Sequence, residues 1–319
     1  ACTLNLEDIP VAIKTVEQAL ADKAYEMGYI VPQPADEKTG KSVAVIGSGP
    51  AGMAAAQQLA RAGHDVHVYE RESAAGGLLR FGIPDFKMEK HYIDKRVAQM
   101  EGEGVVFHYD VHVGVDKTVD ELGEAHDAVL YCGGSETPRD AGIPGVDLAG
   151  VHDAMPFLVQ QNKRVAREDI DSVGWPSEPV VASGKHVVVV GGGDTASDCI
   201  GTAFRQGAVK VTQLDIRPQP PVRADKLAVW PFWATKMRTS SSQAEGAVRE
   251  FQVGTLEFVG ENGILTGVKC CQVDEKRQPV AGTEFIIKAD LAFIAIGFRG
   301  PFENGVLADL GERLEIGVD

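Results

Sequence analysis

The sequence is short of the features that mark disulfide-rich, membrane-spanning and nucleic-acid-binding proteins. Its 319 residues include five cysteines, an odd number with no Cys-X-X-Cys pair, which suits a reducing cytoplasm better than a disulfide framework. No run approaches the roughly 20 apolar residues that cross a bilayer, and we expect no signal peptide. The chain carries 31 basic against 46 acidic residues, a net charge of −15, which argues against nucleic acid or an anionic membrane as a partner. We therefore expect a cytoplasmic globular protein long enough for two domains.

The segment 41–72 has the pattern of a strand, a glycine turn, a helix and a second strand. The apolar run at 43–46 predicts a strand buried on both faces, and Gly-Ser-Gly-Pro-Ala-Gly follows at 47–52. A helix rich in alanine is predicted over 53–62, and the strand after it ends at Glu70. This order of elements is typical of a nucleotide-binding βαβ unit.

Each part of that unit suits a dinucleotide. Gly47 makes a tight turn, Gly49 lets the backbone approach a pyrophosphate, and Gly52 lets the helix pack closely on the strand. The helix N-terminus offers N–H groups and a positive dipole end to the phosphates. Glu70 follows Gly52 by 18 residues, where a carboxylate can accept hydrogen bonds from ribose hydroxyls. The alternative is a glycine-rich turn in another α/β protein.

Two adjacent glycines at 76 and 77 predict a second close approach of the backbone to the same ligand, the alternative being a plain loop. A buried strand is predicted over 127–132, running into Gly133. The residues predicted to contact the first nucleotide are Gly47, Gly49, Pro50, Ala51, Gly52, Glu70, Arg71, Gly77, Leu78 and Gly133.

The same pattern returns later in the chain. A run of four valines at 187–190 is followed by a glycine turn at 191–196 and a predicted helix at 197–206. The offset from the first unit is 144 residues at two turn glycines and at the glycine that ends the helix, and Ala196 takes the place of Gly52. The agreement predicts a second nucleotide site. Its predicted contacts in the turn are Gly191, Gly193, Asp194, Thr195 and Ala196.

The residues after the second unit do not decide whether it binds NAD or NADP. Asp215 could hold a ribose 2′-hydroxyl, as an NAD site would. Arg217 and Arg223 follow closely and could hold a 2′-phosphate, the alternative for both being a solvated loop. The residues alone leave NADP and NAD open.

Two such units usually hold FAD and a nicotinamide nucleotide. We expect FAD in the first unit and the exchangeable nucleotide in the second, with hydride transfer from nicotinamide C4 to flavin N5. No catalytic triad, metal cluster or carboxylate pair is needed, and the eight histidines are scattered along the sequence and predicted to be structural or exposed. The apolar strand predicted at 290–296 resembles the one before Gly133. We expect it to return to the first domain and to present Gly297 to a cofactor.

A set of stretches spread over nearly the whole chain carries a resemblance: 1–5, 13–17, 41–72, 76–84, 191–199, 237–242 and 295–298. Together they resemble the small (beta) subunit of bacterial NADPH-dependent glutamate synthase. The flavin modules of dihydropyrimidine dehydrogenase and of other NADPH-dependent oxidoreductases share the two nucleotide motifs.

The resemblance implies an electron route. In that family electrons pass from NADPH through FAD and iron–sulfur clusters to FMN in a large (alpha) subunit, which makes glutamate from 2-oxoglutarate and glutamine. It also implies that arginines after the second unit bind the 2′-phosphate. Arg223 falls on one such position, and Arg217 lies one residue from the other, where this chain has Ile216. This favours NADPH, with NADH still possible.

The chain departs from the family at both ends. The family has a run of cysteines before its N-terminal helix, of which this chain has only Cys2, our single candidate metal ligand. Because one thiolate cannot hold a cluster, we do not expect this chain alone to bind iron–sulfur clusters. The family also continues after Asp319 with a Gly-Asp motif and a helix that complete the flavin site. We expect a fragment that is cut at both ends.

The expected fold is α/β, with two Rossmann-like nucleotide-binding domains of the glutathione-reductase type, the second inserted in the first. The expected boundaries are a helical remnant of the iron–sulfur domain at 1–40, the FAD domain at 41–150, the NAD(P)H domain at 151–288, and a return to the FAD domain at 289–319. Two alternative functions remain: a flavin electron-input module for another reductase, of the pyrimidine type, and a nucleotide-binding fragment without turnover.

Overall fold

The computed structural model describes residues 4, 9, 11–170, 178–232 and 234–311. Cys2, the candidate metal ligand, lies outside the described residues. The helices, numbered within this part of the chain, are α1 Ile13–Glu26, α2 Pro50–Arg61, α3 Leu78–Phe81, α4 His91–Gly102, α5 Val119–Ala125, α6 Ala154–Ala166, α7 Asp194–Arg205, α8 Lys226–Val229, α9 Ser241–Ala244 and α10 Val306–Leu310. The strands are β1 Ser42–Ile46, β2 Asp65–Tyr69, β3 Val105–His108, β4 Ala128–Tyr131, β5 Thr137–Pro138, β6 Val151–Asp153, β7 His186–Val190, β8 Lys210–Asp215, β9 Val248–Phe251, β10 Val253–Glu261, β11 Ile264–Gln272, β12 Phe285–Lys288, β13 Leu291–Ile294 and β14 Phe298–Gly300.

The first unit is a parallel sheet of four strands in the order β3-β2-β1-β4. Its central strand β1 is almost entirely apolar because it has a neighbour on each side and a packed layer on each face. Helices α2 and α4 cover one face around Val45, Val68 and Met100. Residues of α5 and α10 cover part of the other face around Ile46 and Leu122.

The second unit repeats this plan. Its parallel sheet has the order β6-β13-β7-β8-β9, so β7 stands between β13 and β8 as β1 stands between β4 and β2. Helices α6 and α7 pack on one face around Phe157, Ile200 and Phe293. The antiparallel sheet β10-β11-β12 covers the other face around Phe258 and Val268. Two Rossmann-like βαβ units are therefore present, as predicted.

The expectation that the strand at 290–296 returns to the first domain is wrong. Strand β13 pairs in parallel with β7 and β6 and belongs to the second sheet. It resembles the strand before Gly133 because the two strands hold equivalent positions in their own sheets. The chain goes back to the first unit only afterwards, where β14 pairs with β5 and α10 joins the core of the first sheet.

One local prediction also differs from the structure. Strand β4 is largely exposed rather than buried, because it forms the edge of its sheet. Helix α1, within the expected helical remnant at 1–40, has no buried residue. Within the described residues, no helix combines the length and the apolar character needed to cross a membrane.

Candidate functional site

The first glycine turn leaves an open space at the start of α2. A side chain at Gly47 would meet the carbonyl oxygen of Cys132 at 2.6 Å, and one at Gly52 would overlap the carbonyl oxygen of Gly47. These two close approaches hold the helix against the end of the sheet. A side chain at Gly49 would meet nothing within 4 Å. The free space therefore lies at the helix N-terminus, where a phosphate group is stabilised by N–H groups and the helix dipole.

A cavity of about 300 Å³ opens from this turn. Its volume lies at the lower end of the range for small-molecule sites. Eight of the ten residues predicted for the first nucleotide line it: Gly47, Gly49, Pro50, Glu70, Arg71, Gly77, Leu78 and Gly133. The other two, Ala51 and Gly52, do not; both belong to α2, where Ala51 is exposed and Gly52 is buried.

The adjacent glycines at 76 and 77 pack against the first turn. Gly77 has a φ of +51°, and a side chain there would come within 2.9 Å of the Cα of Gly49. The N–H of Gly76 donates to the carbonyl oxygen of Ser48 at 3.1 Å. The second backbone segment therefore lies beside the space at Gly49, the arrangement predicted for contact with the same ligand.

The carboxylate of Glu70 is buried and already has protein partners. It accepts hydrogen bonds from the N–H of Ser48 at 3.0 Å, from the Ser48 hydroxyl, and from the N–H of Glu72 at 2.9 Å. These bonds join the tip of β2 to the glycine turn. Its predicted bond to a ribose hydroxyl stays a prediction.

Among the residues that line the cavity, Glu136, Phe302 and Asn304 were not predicted from the sequence. Glu136 forms an ion pair with Arg71, whose guanidinium also lies 5.1 Å from the ring centre of Phe302. Burial raises the pKa of Glu136, with Arg71 opposing that rise. Phe302 and Asn304 reach the cavity from the segment that follows β14. No local pattern predicts Phe302 and Asn304, because they reach the cavity only where the chain returns to the first unit after β14.

The second turn has the same geometry. A side chain at Gly191 would overlap the carbonyl oxygen of Ala295, just as one at Gly47 would approach that of Cys132. A side chain at Gly193, like one at Gly49, would meet nothing within 4 Å. Ala196 is fully buried in α7. Asp194 and Thr195 form the first turn of that helix.

The acid and one of the two arginines meet beside the second turn. Arg217 donates two hydrogen bonds of 2.9 Å to the two carboxylate oxygens of Asp215 and a third, also 2.9 Å, to the carbonyl oxygen of Gly192. Burial alone would raise the pKa of Asp215, but the hydrogen bonds from Arg217 outweigh it and lower the pKa. Arg223 is exposed in the following loop, and no hydrogen bond or ion pair joins it to the turn among the described residues.

Gly297 lies at the second site rather than the first. It lines a very small cavity together with Thr195, Ala295 and Phe298. Its carbonyl oxygen accepts a hydrogen bond of 3.0 Å from the N–H of Arg139. This position follows from the pairing of β13 with β7.

Three of the eight histidines, which are scattered along the sequence, come together in the structure. His67 and His108 lie with a ring nitrogen of each 3.0 Å apart, and the ring centres of His67 and His126 are 5.1 Å apart. Burial lowers the pKa of His108 and of His126, and the neighbouring His67 adds to the effect. Within the described residues no group of His, Cys, Asp or Glu has the geometry of a metal site.

Residues 41–314 match the family described as pyridine nucleotide-disulphide oxidoreductase. The chain belongs to this family. Membership implies FAD and a nicotinamide nucleotide as cofactors. The four cysteines of the described part, Cys132, Cys199, Cys270 and Cys271, are all free, so none of them forms a disulfide there.

Relatives in this family bear out the resemblance to glutamate synthase. The chain is 46% identical over 317 residues to the glutamate synthase [NADPH] small chain of Mycobacterium tuberculosis, covering 98% of this chain and 64% of that protein. It is 40% identical to the glutamate synthase [NADPH] small chain of Bacillus subtilis, covering 98% of this chain and 65% of that one. It is also 40% identical to the glutamate synthase [NADH] of Schizosaccharomyces pombe, covering 95% of this chain but 15% of that much longer protein. The chain thus spans less than two thirds of these relatives.

Solved structures show the same fold. Mycobacterium tuberculosis FprA in complex with NADPH superposes with a TM-score of 0.60 at 20% identity, over 82% of this chain and 71% of that one. Lactococcus lactis thioredoxin reductase superposes with a TM-score of 0.51 at 19% identity, over 81% of this chain and 77% of that one. The α/β fold with two nucleotide-binding units is therefore confirmed.

Proposed function

We propose that this chain transfers hydride from NADPH to FAD as the electron-input part of a glutamate synthase. The observation that carries the proposal is the pair of equivalent open spaces at Gly49 and Gly193. Each lies at the N-terminus of a helix that follows the central strand of a parallel sheet, where the pyrophosphate of a dinucleotide fits. The larger cavity at Gly49 suits the flavin nucleotide, and the open turn at Gly193 suits an exchangeable one.

When bound, the flavin accepts a hydride and passes the electrons on. The chain's own residues bind and orient. The N–H groups at the starts of α2 and α7 hold the two pyrophosphates. Leu78 and Phe81 line the first cavity with apolar surface and exclude water from it. Glu70 fixes the tip of β2 to the glycine turn through Ser48, and its remaining acceptor capacity is directed to a ribose.

NADPH is favoured over NADH by the pairing at Asp215. The guanidinium of Arg217 pairs with both carboxylate oxygens of Asp215 and so offsets the negative charge that would repel a 2′-phosphate. The Arg217 side chain is 54% exposed, so it can turn towards a 2′-phosphate while Gly192 stays in place. Arg223, exposed in the next loop, is the second candidate for that phosphate.

We further propose an electron acceptor and a cellular compartment. Electrons leave through iron–sulfur clusters to a large subunit that makes glutamate from 2-oxoglutarate and glutamine, and the complex works in the cytoplasm. The named relatives support the large subunit as the acceptor, and the four free cysteines of the described residues suit the cytoplasm. We keep the domain boundaries at 41, 151 and 289, except that β13 belongs to the NAD(P)H domain, so the FAD domain resumes after it.

The test is anaerobic reduction of flavin. The chain is mixed with FAD and then with NADPH or NADH, and the flavin absorbance is followed. We expect bleaching that is faster with NADPH. Binding of nucleotide with no bound flavin would support a scaffold without turnover, and capture of a pyrimidine-type reductase instead of a glutamine-hydrolysing large subunit would support the other electron-input role.

A further inference from the structure

The segment 82–90 connects the first cavity to the second nucleotide-binding helix. It begins directly after Phe81, which lines the first cavity, and it ends one residue before α4. The ammonium group of Lys90 donates to the carbonyl oxygens of Ile83 at 2.5 Å and Met88 at 3.1 Å, and so closes the segment on itself. The segment is therefore a defined loop of the first unit rather than a free linker.

Two side chains of this segment reach α7 in the second unit. Lys87 donates to the hydroxyl of Ser197 at 2.9 Å and forms an ion pair with Asp198 at 2.6 Å. The ring of Phe86 packs on Gly201, where a side chain would come within 2.7 Å of it, and the guanidinium of Arg205 lies 3.6 Å from the centre of that ring. Phe86 thus holds the later turns of the helix, and Lys87 holds the turn next to the nucleotide site.

The contact of Lys87 is a buried one. The side chain of Asp198 is 11% exposed, and its Oδ1 has no other partner among the described residues. Burial raises the pKa of Asp198, and Lys87 opposes that rise more strongly than the neighbours Asp194 and Lys90 affect it. The ammonium group therefore opposes the effect of burial on this carboxylate at the start of the helix.

A second set of bonds joins the same point to the glycine turn. The hydroxyls of Ser197 and Ser240 are 2.6 Å apart, and the backbone N–H of Ser240 donates to Gln243 at 2.9 Å. Gln243 in turn donates to Gln213 at 2.8 Å, and Gln213 donates to the carbonyl oxygen of Gly191 at 2.9 Å. The side chain of Lys87 therefore stands at one end of a continuous network of hydrogen bonds that ends in the turn at 191–193.

We propose that Lys87 is a positioning residue that fixes the second nucleotide-binding turn relative to the first cavity. Hydride transfer needs the donor and acceptor atoms within about 3–3.5 Å, and a misplacement of about 1 Å can cost about 10²-fold in rate. Segment 82–90 follows Phe81, which lines the first cavity, and contacts α7 of the second unit, so its link to α7 contributes to that distance. This inference rests on the proposed function.

The test combines hydrogen exchange with rapid kinetics on the full chain. In the wild-type protein, adding NADPH is expected to slow amide exchange both at 193–199 and at 82–90. In Lys87→Met, NADPH is expected to protect 193–199 but no longer 82–90. The rate of flavin reduction is expected to fall about 10- to 100-fold, while the dissociation constant for NADPH changes less than about threefold. Lys87→Arg is expected to restore both, and Lys276→Met, a lysine in an exposed turn, is the control for loss of one charge.

Each outcome decides a different claim. If Lys87→Met behaves as the wild type in exchange and in rate, the inference is overturned. If NADPH protects neither segment in the wild type, the second turn is not a nucleotide site, and the proposed function fails with it. Should Lys87→Met not fold because Asp198 is left unpaired, the double variant Lys87→Met with Asp198→Asn removes both charges. Loss of protection at 82–90 in the double variant supports the inference, and wild-type behaviour overturns it.

Discussion

Substitution of Gly49 by valine separates ligand binding from folding. Gly49 has φ −65° and ψ −179°, an extended conformation that valine adopts readily, and nothing lies within 4 Å of its side-chain position. Valine is a poorer helix N-cap than glycine, but it also has less freedom in the unfolded chain. These effects oppose each other, so we expect the free energy of unfolding of the flavin-free protein to change by less than about 1 kcal/mol. The melting temperature should then shift by less than about 4 °C.

The same valine fills the space that the pyrophosphate needs. Hydrogen bonds from backbone N–H groups to a charged group are worth about 1.5–3 kcal/mol each. Loss of two of them costs about 3–6 kcal/mol, which corresponds to a weakening of FAD binding by about 10²- to 10⁴-fold. The assay is a titration with FAD followed by flavin fluorescence, together with the flavin content of the purified protein and calorimetry of the flavin-free form.

Gly193→Val provides the matched control, because Gly193 is equally open in the second turn and has an extended conformation. We expect Gly49→Val to lose FAD and retain NADPH, and Gly193→Val to lose NADPH and retain FAD. A Gly49→Val protein that stays yellow, with the wild-type dissociation constant for FAD, would refute the assignment of the first turn.

Three further predictions concern other parts of the chain. Arg223→Ala should raise the dissociation constant of NADPH by about tenfold, the value of one exposed charge-assisted contact, and leave that of NADH unchanged; an equal effect on both would remove Arg223 from the phosphate site. Burial alone would raise the pKa of Glu103, but hydrogen bonds from Arg61 and Gln57 hold it below its usual value, so Glu103 contributes stability above about pH 4.5 that is lost as the pH falls through its folded pKa. Glu103→Gln should therefore lower the unfolding free energy by about 1–3 kcal/mol at pH 7 and by less near pH 4, as denaturant titrations at the two pH values would show. Burial raises the pKa of Cys270 to about 12, so its thiol should resist alkylation at pH 8 until the protein is unfolded, and early labelling seen by peptide mass spectrometry would contradict this.

The parts of the fold that depend on local pattern were predictable from the sequence. A strand, a glycine turn and a helix follow one another within about 20 residues, so both glycine turns form where predicted. Eight of the ten residues predicted for the first nucleotide line the first cavity, and their contact with a nucleotide stays a prediction. The partner of β13 could not be predicted in this way. Buried parallel strands are apolar in both sheets, so the sequence of β13 does not show which sheet it joins. Only long-range packing selects its neighbours.

The polar contacts of the site could not be predicted from local sequence patterns for the same reason. Glu136 meets Arg71, and Lys87 meets Asp198, across 65 and 111 residues of sequence. Nothing in the sequence indicates that the two residues of each pair are in contact. Arg217 shows the converse case, because its nearness to Asp215 in the chain is visible, yet the sequence could not show that the two side chains bond to each other.

The short connection between β13 and β14 ties the two halves of the molecule mechanically. The carbonyl oxygen of Ala295 lies so close to Gly191 of the second turn that a side chain at Gly191 would overlap it. Three residues later the chain enters β14, and Phe302, which follows β14, lines the first cavity. Phe302 at the first cavity therefore lies only seven positions after Ala295 at the second turn. The backbone of this connection, as well as the side-chain contacts, joins the two halves.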